Sequence, residues 1–194
     1  MKWNDVTLYQ FNKLQDLLKI DSNEERMFEI AELLLGEDVL DLPVSEFTKK
    51  LNELCFLQEP IPTNVPPKKV KVNGKNYYLD CLLGNITTAQ YVDFTNHCKT
   101  NDICKMLSVF LIPEGHKYND GYDMIEVMND IYDLPITVVN DAAFFLRRHF
   151  NVFMETFQSY SINQIKKMKM PEEVKENLIK AVRDSASLAL YPLS

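Results

Sequence analysis

The chain has 194 residues, 46% of them hydrophobic and 25% charged, ordinary globular values that allow one domain or two small ones and a core that needs no disulfide or metal to hold it. Its 5 glycines are too few for a turn-rich all-β fold, and a net charge of −7 argues against a nucleic-acid binder, whose surface must be basic. No stretch of about 18 apolar residues is present, so no membrane span is expected.

The start, Met1-Lys2-Trp3-Asn4-Asp5, is polar and acidic and lacks the apolar core of a signal peptide. With four cysteines (Cys55, Cys81, Cys98 and Cys104) and no CxxC spacing, reduced thiols in an intracellular protein are the expectation.

Thr7 and Gln10 have the spacing of a helix-capping box, and Leu8, Phe11, Leu14, Leu17 and Leu18 follow at helical period. Ser22 to Glu25 is a second such box, opening a helix with Met27, Ile30, Ala31, Leu34 and Leu35 on one face and Gly36 as its stop. Pro43 sits just inside a third helix start, followed by Phe47, Leu51, Leu54 and Cys55. Residues 1–57 therefore read as a three-helix unit.

Pro60, Pro62, Pro66 and Pro67 then bar a helix, leaving either a linker or an extended arm. Val70-Lys71-Val72 and Tyr77-Tyr78-Leu79 flank Asn73-Gly74, the strongest short-range signal for a β-hairpin. A two-stranded ribbon is marginal alone and must lie on something, either the next helices or another subunit. Residues 58–85 form this middle segment.

Residues 86–194 read as a larger helical bundle. Thr87 with Gln90 starts a helix carrying Tyr91, Phe94 and Cys98. Asn101 or Asp102 caps the next, through Ile103, Met106, Leu107, Phe110 and Leu111 to a stop at Pro113. Another runs from about Asp123 to Ile131. The longest apolar period begins at Pro135 and reaches about Tyr160, through Val138, Ala142, Phe145, Leu146, His149, Phe153 and Phe157. Pro171-Glu172-Glu173 opens the last helix, with Val174, Leu178, Val182 and Leu188. The fold class is mostly α: a helical bundle with an N-terminal three-helix unit and one small β-hairpin.

Chemistry-bearing patterns are sparse. His97, Cys98, Cys104 and His116 lack the paired spacings of a structural zinc site. The Lys117–Asp123 loop fails as a calcium loop, because the positions that need acids hold His116 and Val127. No nucleophile signature surrounds any Cys or Ser, and no Gly-rich run can cradle phosphate. No enzyme activity, metal or cofactor is expected. Arg147-Arg148, Lys68-Lys69-Lys71 and Lys166-Lys167-Lys169 are small basic clusters, read as solvated charge or partners for acidic neighbours. Charge alternates along the chain: 13 acids and 6 bases in residues 1–60, but 4 acids and 6 bases in 161–194. Such alternation can steer head-to-tail contacts between copies.

Aromatic residues near termini and on extended segments are the natural interface anchors. The candidates are Trp3, Pro62, Pro66, Pro67, Tyr77, Tyr78 and Tyr191.

Several segments resemble a family. Lys2-Trp3-Asn4-Asp5-Val6-Thr7, Ile86 to Phe94, Met106 to Pro113, Lys117-Tyr118 and Ala142 to Leu146 are similar, in this order, to small tail-region proteins of tailed bacteriophages, above all those of crAss-like gut phages. The resemblance spans residues 2–157 and rests on apolar faces and caps. Residues 58–83 fit it less clearly. It implies a non-enzymatic role in viral morphogenesis, in contact with other phage structural proteins or with further copies in a ring. One version is a built-in virion part, either a tail or neck ring subunit or a packaged cargo protein. The other is a host-cytoplasmic tail or baseplate assembly chaperone absent from the mature particle. A regulatory protein-binding module is the reading from outside this family.

Overall fold

A computed structural model describes residues 1–36, 38–81, 86–100 and 102–187, of which 153, 154, 157 and 184–187 are described by their backbone alone. Asn101, Leu188, Tyr191 and the side chains of Phe153 and Phe157, all singled out from the sequence, lie outside this description. The protein is mostly helical with a small antiparallel sheet of three strands.

Chain order is α1 (Leu8–Leu17), α2 (Asn23–Leu35), α3 (Val44–Glu53), β1 (Lys69–Val72), β2 (Lys75–Leu79), α4 (Thr88–Cys98), α5 (Ile103–Ser108), β3 (Leu111–Pro113), α6 (Met124–Tyr132), α7 (Ile136–Lys167) and α8 (Glu172–Ser187). Short 3-10 turns occupy Trp3–Asp5 and Cys55–Gln58.

Local chemistry sets most helix ends. The Thr7 hydroxyl accepts the Gln10 backbone N–H at 3.2 Å while Gln10 Oε1 accepts that of Thr7 at 3.0 Å. Thr87 and Gln90 repeat the pair at the same two distances. These exchanges satisfy two of the donors that every helix start leaves open. In each pair the glutamine's Nε2 also reaches a neighbouring element, Leu33 O at 3.2 Å from Gln10 and Val109 O at 3.0 Å from Gln90. One side chain thus starts a helix and fixes what packs beside it. At Ser22 only half of the expected box forms, the hydroxyl accepting from Glu25 N at 3.2 Å. Gly36 ends α2 at φ 67°, a left-handed conformation that costs glycine nothing. Pro43 stands one position before α3 rather than inside it.

Asn73 and Gly74 both have positive φ, at 49° and 77°, as the tight turn between right-twisted strands requires. The strands pair Val72 with Lys75 and Val70 with Tyr77. The expected lone ribbon gains a third strand, with β3 pairing Leu79 to Leu111 and Tyr77 to Pro113. Leu111, expected on a helix, therefore lies in a strand, and the helix stops at Ser108. The cause is Pro113, whose ring pushes the preceding Ile112 out of helical geometry, so the last residues before it extend.

A short antiparallel bridge closes the body. Leu8 N donates to Leu134 O at 2.9 Å, and Ile136 N donates to Val6 O at 2.8 Å. The N-terminus is thereby stitched to the α6–α7 junction. Around this stitch lies one continuous buried cluster, including Val6, Ala31, Val39, Tyr77, Phe110, Ile131 and Phe150. Helix α7 enters it through Ile136, Val139, Ala142, Leu146 and Phe150 at helical spacing.

Candidate interaction surfaces

Residues 59–68 run without regular structure from the 3-10 turn to β1, and the chain itself holds them. Trp3 Nε1 donates to Glu59 O at 3.0 Å, and Asn140 Nδ2 donates to Thr63 Oγ1 at 3.2 Å. Asn64 N donates to Asp141 Oδ1 at 2.6 Å. Asp141 is buried on α7, so this contact gives a buried carboxylate a donor that it needs. Residues 62–64 of this segment are thereby tied to Asn140 and Asp141 on α7. Neither Asn140 nor Asp141 was singled out from the sequence, because nothing local marks a helical carboxylate as the anchor of a segment 77 residues away.

The candidate anchors have three different environments. Trp3 is half-buried and meets Phe56 edge-on at 5.2 Å and Phe11 at 6.2 Å. Its indole ties the N-terminus to the end of the first helical segment. Tyr77 is 1% exposed and its hydroxyl donates to Asp130. As an interface anchor it is corrected: it is a core residue with no surface to offer. Tyr78, one residue on, points out of the sheet, with Lys69 Nζ 4.5 Å from its ring centroid and its hydroxyl 3.2 Å from Glu114 Oε1. Glu114, bound by Lys69 first and then Asn76, has its carboxyl held below the usual carboxylate range.

Pro62 is exposed, while Pro66 and Pro67 are half-buried. The fold brings Pro66 and Tyr78 together, with Val65, Leu79 and Phe145, around an open groove of about 320 Å³ between arm, sheet and α7. Cys81 also lines it, and burial pushes that thiol up to about 12.

A second surface comes from α7 itself. Its 32 residues span about 48 Å, and the buried cluster stops at Phe150. The rest of α7 turns at 168–171 and packs against α8, with Ile165 buried. This helical hairpin leaves Val152, Tyr160, Met168, Val174 and Leu178 exposed. Val174 and Leu178 are two of the apolar residues that the sequence places on the last helix. They are exposed because the half-buried side of α8 runs through Lys175, Ile179 and Val182, and little of the body lies beside it.

Among the described residues, no three His, Cys, Asp or Glu side chains group to hold a metal ion, and no helix is long and apolar enough to cross a membrane. His149 lies on Phe145 with ring centroids 4.0 Å apart. Cys98 Sγ sits 3.6 Å from Met106 Sδ, and Cys104 is buried. No family model, no curated protein and no solved structure matches the chain.

The four thiols make a test of this packing. Cys55 is exposed, Cys98 half-buried, and Cys81 and Cys104 buried. Burial raises Cys98 and Cys104 to about 11. Ellman's reagent under native conditions is expected to modify Cys55 within minutes and Cys81 and Cys104 only on unfolding. Two fast thiols besides Cys55 would contradict the placement. The raised values also set an alkaline limit. Their contribution to stability is complete below the unfolded thiol value of about 8.5 and is lost as pH climbs through the folded values.

Proposed function

We propose that the chain is a non-enzymatic bacteriophage morphogenesis protein, a structural component of the virion that binds other virion subunits. A tail or neck ring subunit and a packaged cargo protein are the two forms of this role. The observation that carries the reading is the α7–α8 hairpin, which stands off the buried cluster with Tyr160, Val174 and Leu178 exposed. Apolar side chains exposed along a helical hairpin suit docking. The sequence resemblance to tail-region proteins supplies the phage context. In this reading the three-helix unit (1–57), the arm with its β-hairpin (58–85) and the bundle (86–194) are docking parts of one subunit, found in the virion and, during assembly, in the host cytoplasm.

A second reading is the assembly chaperone, absent from the mature particle. The arm favours it. An arm that crosses to a neighbour suits a permanent ring, whereas this one is tied to its own helix through Asn64 and Asp141.

Quantitative mass spectrometry of purified particles separates the two. A built-in part is expected at fixed stoichiometry to the major tail protein. Recovery only with tail intermediates would move the assignment to the chaperone. Recovery with neither would end both readings and leave the regulatory binding module.

A further inference from the structure

The two outer edges of the sheet differ. β3 packs on α5 and α6, its Leu111 is 1% exposed, and Pro113 has no N–H to offer. β1 is the open edge. Leu79 N donates to Lys68 O at 3.0 Å, which sets the alternation along the strand. The backbone groups of Lys68, Val70 and Val72 face β2, and those of Lys69 and Lys71 face outward. Among the described residues neither the N–H nor the C=O of Lys69 or Lys71 has a hydrogen-bond partner. Such a row is a template for one more strand.

The side chains say which strand. Val72 is buried and Val70 half-buried on the inner face, while Lys69 and Lys71 stand on the exposed face. Lys69 Nζ meets Glu114 Oε1 at 3.1 Å, and Lys71 has no ion pair among the described residues. A second copy is a poor occupant. Two β1 strands laid edge to edge about a two-fold axis set Lys69 opposite Lys71, or one lysine opposite its own copy. Like charges directly opposite destabilise a strand pair, so the lysines guard the edge against itself. Opposite charges in the same positions stabilise one.

We infer that the β1 edge receives an extended acidic segment of a partner protein, added antiparallel as a fourth strand. Its acidic side chains face Lys69 and Lys71, and an apolar side chain between them lies beside Val70. Each lysine exchanges its N–H and C=O with the residue opposite, which satisfies all the outward groups of the pair. Backbone pairing supplies the affinity, and the alternation of acid and apolar residues supplies the selectivity. The edge is open whatever particle the chain belongs to, so the inference goes beyond the virion reading and does not depend on it.

A fluorescein-labelled peptide of about seven residues, alternating glutamate with valine or threonine, tests it by anisotropy on the full chain. Saturable binding is expected below about 1 mM at about 50 mM salt. The same peptide with lysine for glutamate is expected to bind at least about tenfold more weakly. Lys71→Pro removes one outward N–H and no bond to β2, a change that an edge strand accepts, and should weaken binding at least about tenfold. Lys71→Glu should shrink the preference for the acidic peptide at least about threefold. Circular dichroism melts check that both variants fold. Hydrogen exchange on the unaltered chain needs no variant: the Lys69 and Lys71 amides should slow at least about tenfold with the acidic peptide, while Val70, already paired with β2, changes little. No saturable binding up to about 1 mM overturns the inference. So does binding that leaves the Lys69 and Lys71 amides unprotected, binding that a folded Lys71→Pro protein keeps in full, or equal affinity for the acidic and basic peptides. Particle mass spectrometry is independent of these results, so the strand site and the virion role fail separately.

Discussion

Asp130→Ala is expected to destabilise the protein by about 3 kcal/mol, a large part of the 5–15 kcal/mol that holds an ordinary domain together. Asp130 on α6 is 4% exposed and collects three donors from the sheet. Tyr77 Oη donates to it, Lys75 Nζ lies 2.8 Å from Oδ2, and Asn73 Nδ2 lies 2.8 Å from Oδ1. The carboxylate is what fastens the β1–β2 turn to the helix layer. Alanine would leave the Tyr77 hydroxyl buried without an acceptor, and that penalty dominates. Lys75 is part-exposed and can rehydrate, and Asn73 keeps Asp133 at 2.8 Å. Urea titration measures the loss. Tyr77→Phe alone should cost about 1–2 kcal/mol, and on that background Asp130→Ala should cost less than on the wild type. Strict additivity would show that the pair does not act as a unit. Glu126→Gln, which touches only the exposed Lys75–Glu126 pair at 2.8 Å, is the control and should change stability by under about 0.5 kcal/mol.

The same carboxyl sets the acid limit. Burial pushes Asp130 up, but hydrogen bonds from Lys75, Tyr77 and Asn73 together outweigh it, so it ends below its ordinary value. Its contribution is complete above the unfolded value of about 3.9 and is lost as pH falls through the lower, folded value. In wild type the denaturation midpoint should hold from about pH 5 to 8 and fall below about pH 4. Asp130→Ala should flatten that acid fall without removing it, because Asp102 is also lowered: burial raises it, and Lys105 N–H and ammonium outweigh the burial.

What could be read from the sequence was local. Thr7 with Gln10, Thr87 with Gln90, and Gly36 act on their own helix ends, so spacing alone finds them. β3 was hidden because its three residues follow an apolar helix without a break, and only pairing with Tyr77 and Leu79, more than 30 residues earlier, makes them a strand. Tyr77 and Tyr78 were treated alike as surface anchors, although alternation along a strand sends neighbours to opposite faces. Once one face of β2 packs on α6, Tyr77 must be core and Tyr78 surface. The arm's anchors depend on tertiary approach and left no signal. Val174 and Leu178 have a core-like period, and only the lack of a partner element beside α8 turns them into surface.

Phe110→Ala is expected to cost about 4 kcal/mol, the largest loss from a single side chain here. Phe110 is fully buried between α5 and β3, and Phe94 of α4 meets it edge-on at 5.0 Å and 79°. Phe94 in turn meets Phe150 of α7 at 5.1 Å and 80°. The three rings join α4, the α5–β3 connection and α7 at the point where α7 leaves the buried cluster. Removing the Phe110 end of that chain opens a cavity against Phe94 that its neighbours cannot fill without leaving their rotamers. Hydrogen exchange would show where the loss falls. Amides of α5 and of α7 before Phe150 open only with the whole body, so their protection should drop by about three decades, as 4 kcal/mol requires. Amides of α8 pack chiefly on the part of α7 beyond the buried cluster, so their opening is expected to be local and their protection should hardly change. Equal losses in both regions would mean that the hairpin is part of the cooperative body. Unequal losses would leave α8 as a separately held element that a docking partner can stabilise without paying to refold the rest.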